Sequence, residues 1–145
     1  MGVKRLDTFR KRLETLPLNA FVADALEKHD KEITQLVKDQ LIEGVRGDGK
    51  DMARYKSQKY ATFKKRRGSK SSPKADLKLT GKYHKSIKQK VFKDKAEIFA
   101  DDNKHKFLKK RYGNPILDIL EKRQRINPII IPDIRIDIRK FMFNG

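Results

Sequence analysis

Carboxylates and histidines are the side chains of this sequence that could bind a metal or transfer a proton. Asp101 and Asp102 stand close to His105, and Asp76 and Asp94 stand among lysines. A nuclease would need acids of this kind gathered around Mg²⁺. The sequence does not show the set of two acids and a lysine on adjacent strands that a nuclease would need. Helix capping is the simpler explanation for Asp101 and Asp102. The sequence therefore predicts no catalytic, metal-binding or cofactor-binding residue.

The three histidines are scattered along the chain, and none belongs to a His-Glu-x-x-His zinc pattern. His29 falls near the apolar face of a predicted helix and is predicted to pack there with a hydrogen-bonded ring. His84 and His105 stand among lysines and are predicted to lie at the solvated surface. The chain contains no Cys, which excludes disulfides and thiolate nucleophiles.

Positive charge is concentrated in one stretch of the chain, from Arg54 to Lys95. It holds sixteen Lys or Arg against two acids, and so carries fourteen of the eighteen net positive charges. A surface this basic attracts polyanions, of which nucleic acid is the commonest large example. The residues predicted to contact nucleic acid or an acidic partner are Lys64, Lys65, Arg66, Arg67, Lys70 and Lys74.

Aromatic residues interrupt the basic stretch at Tyr55, Tyr60, Phe63 and Tyr83. Rings among cations can stack on nucleobases. Tyr60, Phe63 and Tyr83 can also be the apolar anchors of short helices, and that interpretation is favoured.

Apolar spacing in the first half of the chain predicts helices. Residues 3–16 form an amphipathic helix candidate that Pro17 ends, and residues 19–43 form the longest periodic segment. Asn19 is predicted to cap this long helix and Gly44 to end it. Ser57 is predicted to cap a short basic helix, and residues 64–75 are predicted to be a mobile basic loop.

The second half mixes a hairpin with helices. Thr80 is predicted to cap a helical turn, and residues 88–100 are predicted to form a β-hairpin. Gly113 is predicted to end a further helix. The tail is ambiguous between strand and helix, and helix is favoured because Pro132 suits a first helical turn. Its isoleucines either complete the core or meet a neighbouring subunit: Ile129, Ile130, Ile131, Ile134, Ile136 and Ile138.

One short motif resembles a known family. It consists of Leu77-x-Leu79-Thr80-Gly81, then Ser86-Ile87, a predicted hairpin and Tyr112-Gly113. The motif resembles small virion proteins of tailed phages, namely neck, tail-completion and "virion morphogenesis" proteins. Locally, Thr80 would cap a helix, Gly81 would permit close packing and Ile87 would enter the sheet.

The resemblance extends over about residues 19–140 in the order of elements, with two departures. Asp102-Asn103-Lys104 replaces the family's Tyr-Ala pair, and Ile131-Pro132 stands where the family has Arg-Pro-Phe. It implies a head–tail connector or tail-completion subunit in a ring around the DNA channel, beside portal, adaptor or tail-tube proteins. It also implies location in the virion, with assembly in the host cytoplasm.

The expected architecture is α+β, with a long N-terminal helix packed on a small antiparallel sheet and short additional helices. Residues 1–18 are predicted to be an N-terminal arm and 19–145 a single domain. No apolar run approaches the roughly 20 residues of a membrane span. A free nucleic-acid-binding protein without an assembly role is the alternative, and a small nuclease is less favoured.

Overall fold

A computed structural model describes residues 2–93 and 95–144 and has the predicted α+β class. Its helices in chain order are α1 (Gly2–Glu14), α2 (Leu18–Lys28), α3 (Asp30–Ile42), α4 (Gln58–Arg66), α5 (Lys82–Lys85), α6 (His105–Tyr112) and α7 (Lys122–Phe143). The strands are β1 (Ile87–Val91) and β2 (Ala96–Ala100), and a 3₁₀ helix spans Asn114–Leu117.

The two strands form the predicted antiparallel hairpin. Ile87 pairs with Ala100 and Val91 pairs with Ala96, and both Ile87 and Ala100 are buried. The backbone N–H of Phe92 donates to the Lys95 carbonyl oxygen at 2.7 Å and closes the turn. Asp94, which belongs to the predicted turn, lies outside the described residues.

The predicted helix over 19–43 is interrupted at His29, which has φ −100° and ψ 20°. α2 begins at Leu18 after Pro17, so the prediction that Asn19 caps it is wrong. α2 packs against both β1 and α7, whereas α3 packs against β1. The interruption therefore divides the predicted helix into two helices with different main packing partners, α7 for α2 and β1 for α3, which no periodicity within the segment could reveal.

α3 ends as predicted at a glycine in the left-handed region. Gly44 has φ +69°, its N–H donates to the Leu41 carbonyl, and the N–H of Val45 donates to the Gln40 carbonyl. This is the Schellman arrangement, in which residues beyond the helix satisfy its last carbonyl groups.

One core joins α2, α3, α5, the hairpin, α6, the 3₁₀ helix and α7. α3 contributes Ile33, Val37 and Leu41, which are almost fully buried, and other segments surround them. The Gln40 amide is buried as well: it donates to the Asp118 carbonyl at 2.8 Å and accepts from the Leu120 N–H at 2.9 Å. This amide fixes the segment after the 3₁₀ helix against α3.

The tail is helical, as the sequence favoured, but α7 begins ten residues before Pro132. Pro128 and Pro132 therefore lie inside the helix rather than in its first turn, and each lacks a backbone donor there. Among the isoleucines of α7, Ile130 is buried in the core, Ile136 is half exposed, and the others are partly buried. Part of this segment thus completes the protein's own core.

α1 is the predicted amphipathic helix, yet none of its residues is buried. It contacts α7, where the rings of Phe9 and Phe143 lie 6.5 Å apart and Arg12 donates to the Met142 carbonyl oxygen. Its apolar residues remain largely outside the core: the exposed fractions of Val3 and Leu6 are 72% and 69%.

Candidate polyanion-binding face

Asp76 is the one acid that the structure describes between Arg54 and Lys93, and its contacts hold the basic stretch together. Its carboxylate is buried and lies 2.8 Å from the Nζ of Lys64, and the two side chains are 5% and 4% exposed. Lys64 Nζ also donates to the Lys78 carbonyl oxygen at 2.5 Å. The prediction that Lys64 contacts nucleic acid is therefore wrong, since its ammonium group is turned inward and neutralised.

Three further donors complete the surroundings of the Asp76 carboxylate. Tyr55 Oη and the Lys78 N–H each donate to Oδ1 at 3.0 Å, and Ser69 Oγ donates to Oδ2 at 2.7 Å. Burial acts to raise the pKa of Asp76, but the hydrogen bonds from Lys64, Lys78 and Ser69 outweigh it and hold the pKa below 3.8. Asp76 thus remains ionised and ties three chain segments together.

The predicted loop 64–75 begins as helix, because α4 extends to Arg66. Ser57 Oγ accepts from the Tyr60 N–H at 3.3 Å, which confirms it as the cap of α4. The remainder of the loop is held by specific contacts: Ser72 Oγ donates to the Ala61 carbonyl at 2.8 Å, and the Ala75 N–H donates to the Ala53 carbonyl at 3.0 Å.

The other predicted contact residues differ in availability. Lys65, Arg66, Arg67 and Lys70 are exposed. Lys74 is partly buried and its Nζ lies 3.0 Å from Asp51 Oδ1, so it already forms an ion pair. The guanidinium carbon of Arg67 lies 4.9 Å from the centre of the Phe63 ring, a cation–π contact that orients the side chain.

Two adjacent clefts lie beside this loop. The first, the lysine cleft, has a volume of about 490 Å³ and is lined by Arg67, Lys70 and Lys78 above the Lys64–Asp76 pair. The second, the tyrosine cleft, has a volume of about 430 Å³ and is lined by Tyr55, Tyr60, Tyr83 and Tyr112. The exposed cations along its walls are Lys56, Lys82, Lys104 and Arg111.

The residues Leu79, Thr80 and Gly81 of the motif line both clefts. The two clefts therefore form one continuous surface, which we call the basic face. It carries seven exposed cations: Arg67, Lys70, Lys78, Lys56, Lys82, Lys104 and Arg111. The carboxylates among the lining residues are the buried Asp76 and the partly buried Asp102, so the exposed charge is strongly positive.

The local roles predicted for the motif need correction at two positions. Gly81, with φ +79°, precedes α5, and among the described residues nothing beyond its two chain neighbours lies within 4 Å of where a Cβ would be. It is required for its backbone conformation and not for close packing. Thr80 lies one residue before the cap position and accepts from the Lys82 N–H at a long 3.4 Å, so it is not the helix cap.

The remaining motif residues are structural. Leu79 is exposed, Ser86 ends α5 and donates to the Tyr83 carbonyl at 2.7 Å, and Ile87 enters β1 as predicted. Tyr112 is buried, and Gly113 ends α6 with φ +95°, also as predicted. The Tyr112 carbonyl accepts from Arg46 Nη1 at 3.0 Å.

Two of the histidine predictions are wrong. His84 is buried, with Nε2 2.7 Å from the Asp76 carbonyl oxygen, and burial lowers the pKa of its imidazole. His105 is partly buried, and its Nδ1 lies 2.9 Å from Tyr83 Oη. His29 has both ring nitrogens bonded, to Glu32 Oε1 at 3.0 Å and to Asp133 Oδ2 at 2.7 Å, as predicted for a satisfied ring.

Sequence reasoning missed Asp76 and the convergence of the tyrosines. A signal for Asp76 was present, since an isolated acid within a long run of cations is a natural candidate for a buried ion pair. For the tyrosine cleft there was none, because Tyr112 lies far along the chain from Tyr55. Across residues 2–93 and 95–144, no group of three or more acids or histidines could hold a metal ion, and no helix could span a membrane.

Comparison with known proteins gives no relative for this chain. No family model, no curated protein and no solved structure matches it.

Proposed function

We propose that this protein is a structural subunit of a tailed-phage virion, a head–tail connector or tail-completion protein that assembles as a ring at the DNA channel. The observation that carries the proposal is the basic face, on which seven exposed cations surround a motif that resembles the phage family. A protein beside a DNA channel, or beside an acidic portal, needs such a face.

The exposed apolar residues of α1 support the assembly part of the proposal. Val3, Leu6, Phe9 and Leu13 follow helical spacing and are all exposed, although α1 is amphipathic. An apolar stripe left outside the core suits burial against another protein. In a ring, each subunit would bury this stripe in a repeated head-to-tail contact with the next subunit or with portal, adaptor or tail-tube proteins. The protein would then be located in the virion, after assembly in the host cytoplasm.

A charge-removal variant tests the contact with DNA. We expect the change of Arg67, Lys70 and Lys78 to Gln to weaken duplex binding and to lower its salt slope by about 0.9 for each phosphate that the protein no longer neutralises. The melting temperature should hardly change, because exposed charges contribute little to stability.

The matched control removes an equal number of charges from α7, by changing the exposed residues Lys122, Arg135 and Lys140 to Gln. If both variants lose duplex affinity equally, binding depends on net charge alone and the basic face is not the contact. An unchanged salt slope in the first variant would also count against it.

A second variant tests assembly. Light scattering of the purified protein should give the mass of a closed ring, alone or when a portal protein is added. Leu6→Lys should convert the ring to monomers without lowering the melting temperature, because Leu6 is exposed. Phe107→Ala, at an equally exposed apolar residue of α6, should leave the ring intact.

A protein that remains monomeric under both conditions, yet binds duplex DNA tightly, would instead be a free nucleic-acid-binding protein. The basic face favours that function as a second candidate, since the face alone needs no assembly. Adjacent portal, capsid or tail-tube genes would favour the virion role.

A further inference from the structure

All four tyrosines of the chain line one cleft, although they are spread from residue 55 to residue 112. Tyr83 and Tyr112 are buried, Tyr55 is partly buried and Tyr60 is the most exposed. The rings of Tyr55 and Tyr60 are 4.9 Å apart in an edge-to-face arrangement. Tyr83 and Tyr112 belong to the core and Tyr55 packs against it, so Tyr60 is the ring that a ligand with a flat aromatic group could reach.

The polar residues of the tyrosine cleft indicate what else that ligand carries. Lys56, Lys82, Lys104 and Arg111 are exposed, and none forms an ion pair with a carboxylate in residues 2–93 or 95–144. Among the described residues of the lining, the carboxylate is that of Asp102, whose Oδ1 accepts from the Lys104 N–H at 2.8 Å. The guanidinium carbon of Arg111 also lies 5.3 Å from the centre of the Tyr112 ring. Four cations against one described acid suit an anionic ligand.

Three of the tyrosines are held in their neutral form by burial. Burial raises the pKa of the Tyr55, Tyr83 and Tyr112 hydroxyls above their ordinary value of 10.0. The cleft thus offers uncharged aromatic surface next to cations, and its volume of about 430 Å³ falls within the roughly 300–1,000 Å³ typical of ligand sites.

We propose that the tyrosine cleft binds an unpaired nucleobase of single-stranded nucleic acid, with Tyr60 as the stacking residue and the surrounding cations on the flanking phosphates. Bases stack on aromatic side chains while a basic groove follows the backbone in proteins that bind single strands. The cleft is continuous with the lysine cleft through Leu79-Thr80-Gly81, so a strand leaving it would remain on cations. The inference goes beyond the virion role and does not depend on ring assembly.

The sharpest test compares two single strands of about ten nucleotides, one with bases and one abasic, which have equal phosphate charge. The wild-type protein should bind the base-bearing strand at least fivefold more tightly. Because the chain has no Trp and its four tyrosines all line the cleft, intrinsic fluorescence comes from the cleft alone. The base-bearing strand should quench it more strongly than the abasic strand does.

Substitutions then locate the effect. Tyr60→Ala should weaken binding of the base-bearing strand about tenfold and leave the abasic strand within twofold, while Tyr60→Phe should retain the difference. Phe99→Ala is the matched control, since Phe99 is about as exposed as Tyr60 but does not line the cleft. Melting temperatures of all variants separate a loss of binding from a loss of structure.

Equal affinity of the wild-type protein for the two strands would overturn the proposal, whatever the variants do, and would leave an acidic peptide segment as the candidate occupant. Equal weakening of both strands by Tyr60→Ala would also overturn it, because the ring would then be supporting the phosphate contacts. Neither result bears on duplex binding by the lysine cleft, which is measured separately with the charge-removal variant.

Discussion

Asp76, in the segment between α4 and α5, and Asp133, on α7, each hold a lysine of a helix, but they do so in very different surroundings. Asp76 is almost fully buried, pairs with the equally buried Lys64 and accepts three more hydrogen bonds. Asp133, on α7, lies 2.8 Å from Lys28 Nζ and 2.7 Å from His29 Nε2, and the Lys28 side chain is 65% exposed. The Asp76–Lys64 pair lies beneath the basic face, and the contacts of Asp133 attach α7 to α2.

The two regions should respond differently to salt and pH. An exposed ion pair is screened by salt and contributes little, whereas breaking a buried pair leaves an uncompensated charge in the interior. The basic face should therefore keep its shape across a wide range of salt and pH. The attachment of α7 to α2 should change with pH, because His29 takes part in it.

The largest effect is expected from Asp76→Asn. The amide cannot neutralise Lys64, so its ammonium group would remain buried without a counter-charge. We expect unfolding in urea to show a loss of roughly 3–5 kcal/mol, the usual result of removing one partner of a buried pair. A loss below about 1 kcal/mol would mean that the site admits water and that the contrast with Asp133 is not real.

The double variant Lys64→Met with Asp76→Leu should cost less than the sum of its two single changes, because no charge is left in the interior. It is not neutral, since the Tyr55, Ser69 and Lys78 donors lose their acceptor. A double-mutant cycle from urea unfolding would give the coupling between the two residues. If the double variant loses as much as the sum of the single changes, Lys64 and Asp76 act independently.

Lys64→Met alone also tests whether Lys64 supports the fold or contacts DNA. It should lower stability, yet leave the salt slope of duplex binding unchanged once binding is measured well below the melting temperature. Lys70→Met should show the opposite pattern, because Lys70 is exposed in the lysine cleft. Similar salt slopes for the two variants would contradict the separation of a buried and an exposed lysine.

The smallest effect is expected at His29. Hydrogen bonds to Glu32 and then to Asp133 raise the pKa of its imidazole above 6.5, so the folded state binds this proton more tightly than the unfolded state. The stabilisation is therefore complete below pH 6.5 and is lost as pH rises through the higher folded pKa. The melting-temperature difference between wild type and His29→Gln should be largest near about pH 6 and should shrink by about pH 8.5.

Asp133→Asn provides the control for the pH experiment. The hydrogen bonds from Lys28 and His29 hold the pKa of Asp133 below 3.8, so its own contribution is lost only as pH falls through that lower value. Between about pH 6 and 8.5 the variant should reduce the pH dependence that His29 produces. A pH dependence that persists in both variants would assign it to another group.

Local sequence signals predicted much of the fold. Gly44 ends α3, Ser57 caps α4 and Gly113 ends α6, and the alternation after residue 95 gives β2. Each of these features depends on bonds or patterns within a few residues, so the side chains that decide it are adjacent in the sequence. The exposed cations Arg67 and Lys70 were predicted for the same reason, since a run of charges is rarely buried.

Contacts between distant segments decided the rest. The sequence could not show that Lys64 differs from Lys65, because the difference depends on where Asp76 and the Lys78 carbonyl lie after folding. The same holds for the interruption at His29, which bonds to Asp133 on α7, and for the tyrosine cleft, whose rings come from separate elements. Charge and periodicity determined that the protein has a basic surface and helices around a hairpin. Only tertiary packing decided which cation is buried and which aromatic rings share a cleft, because burial depends on neighbours that are far away in the chain.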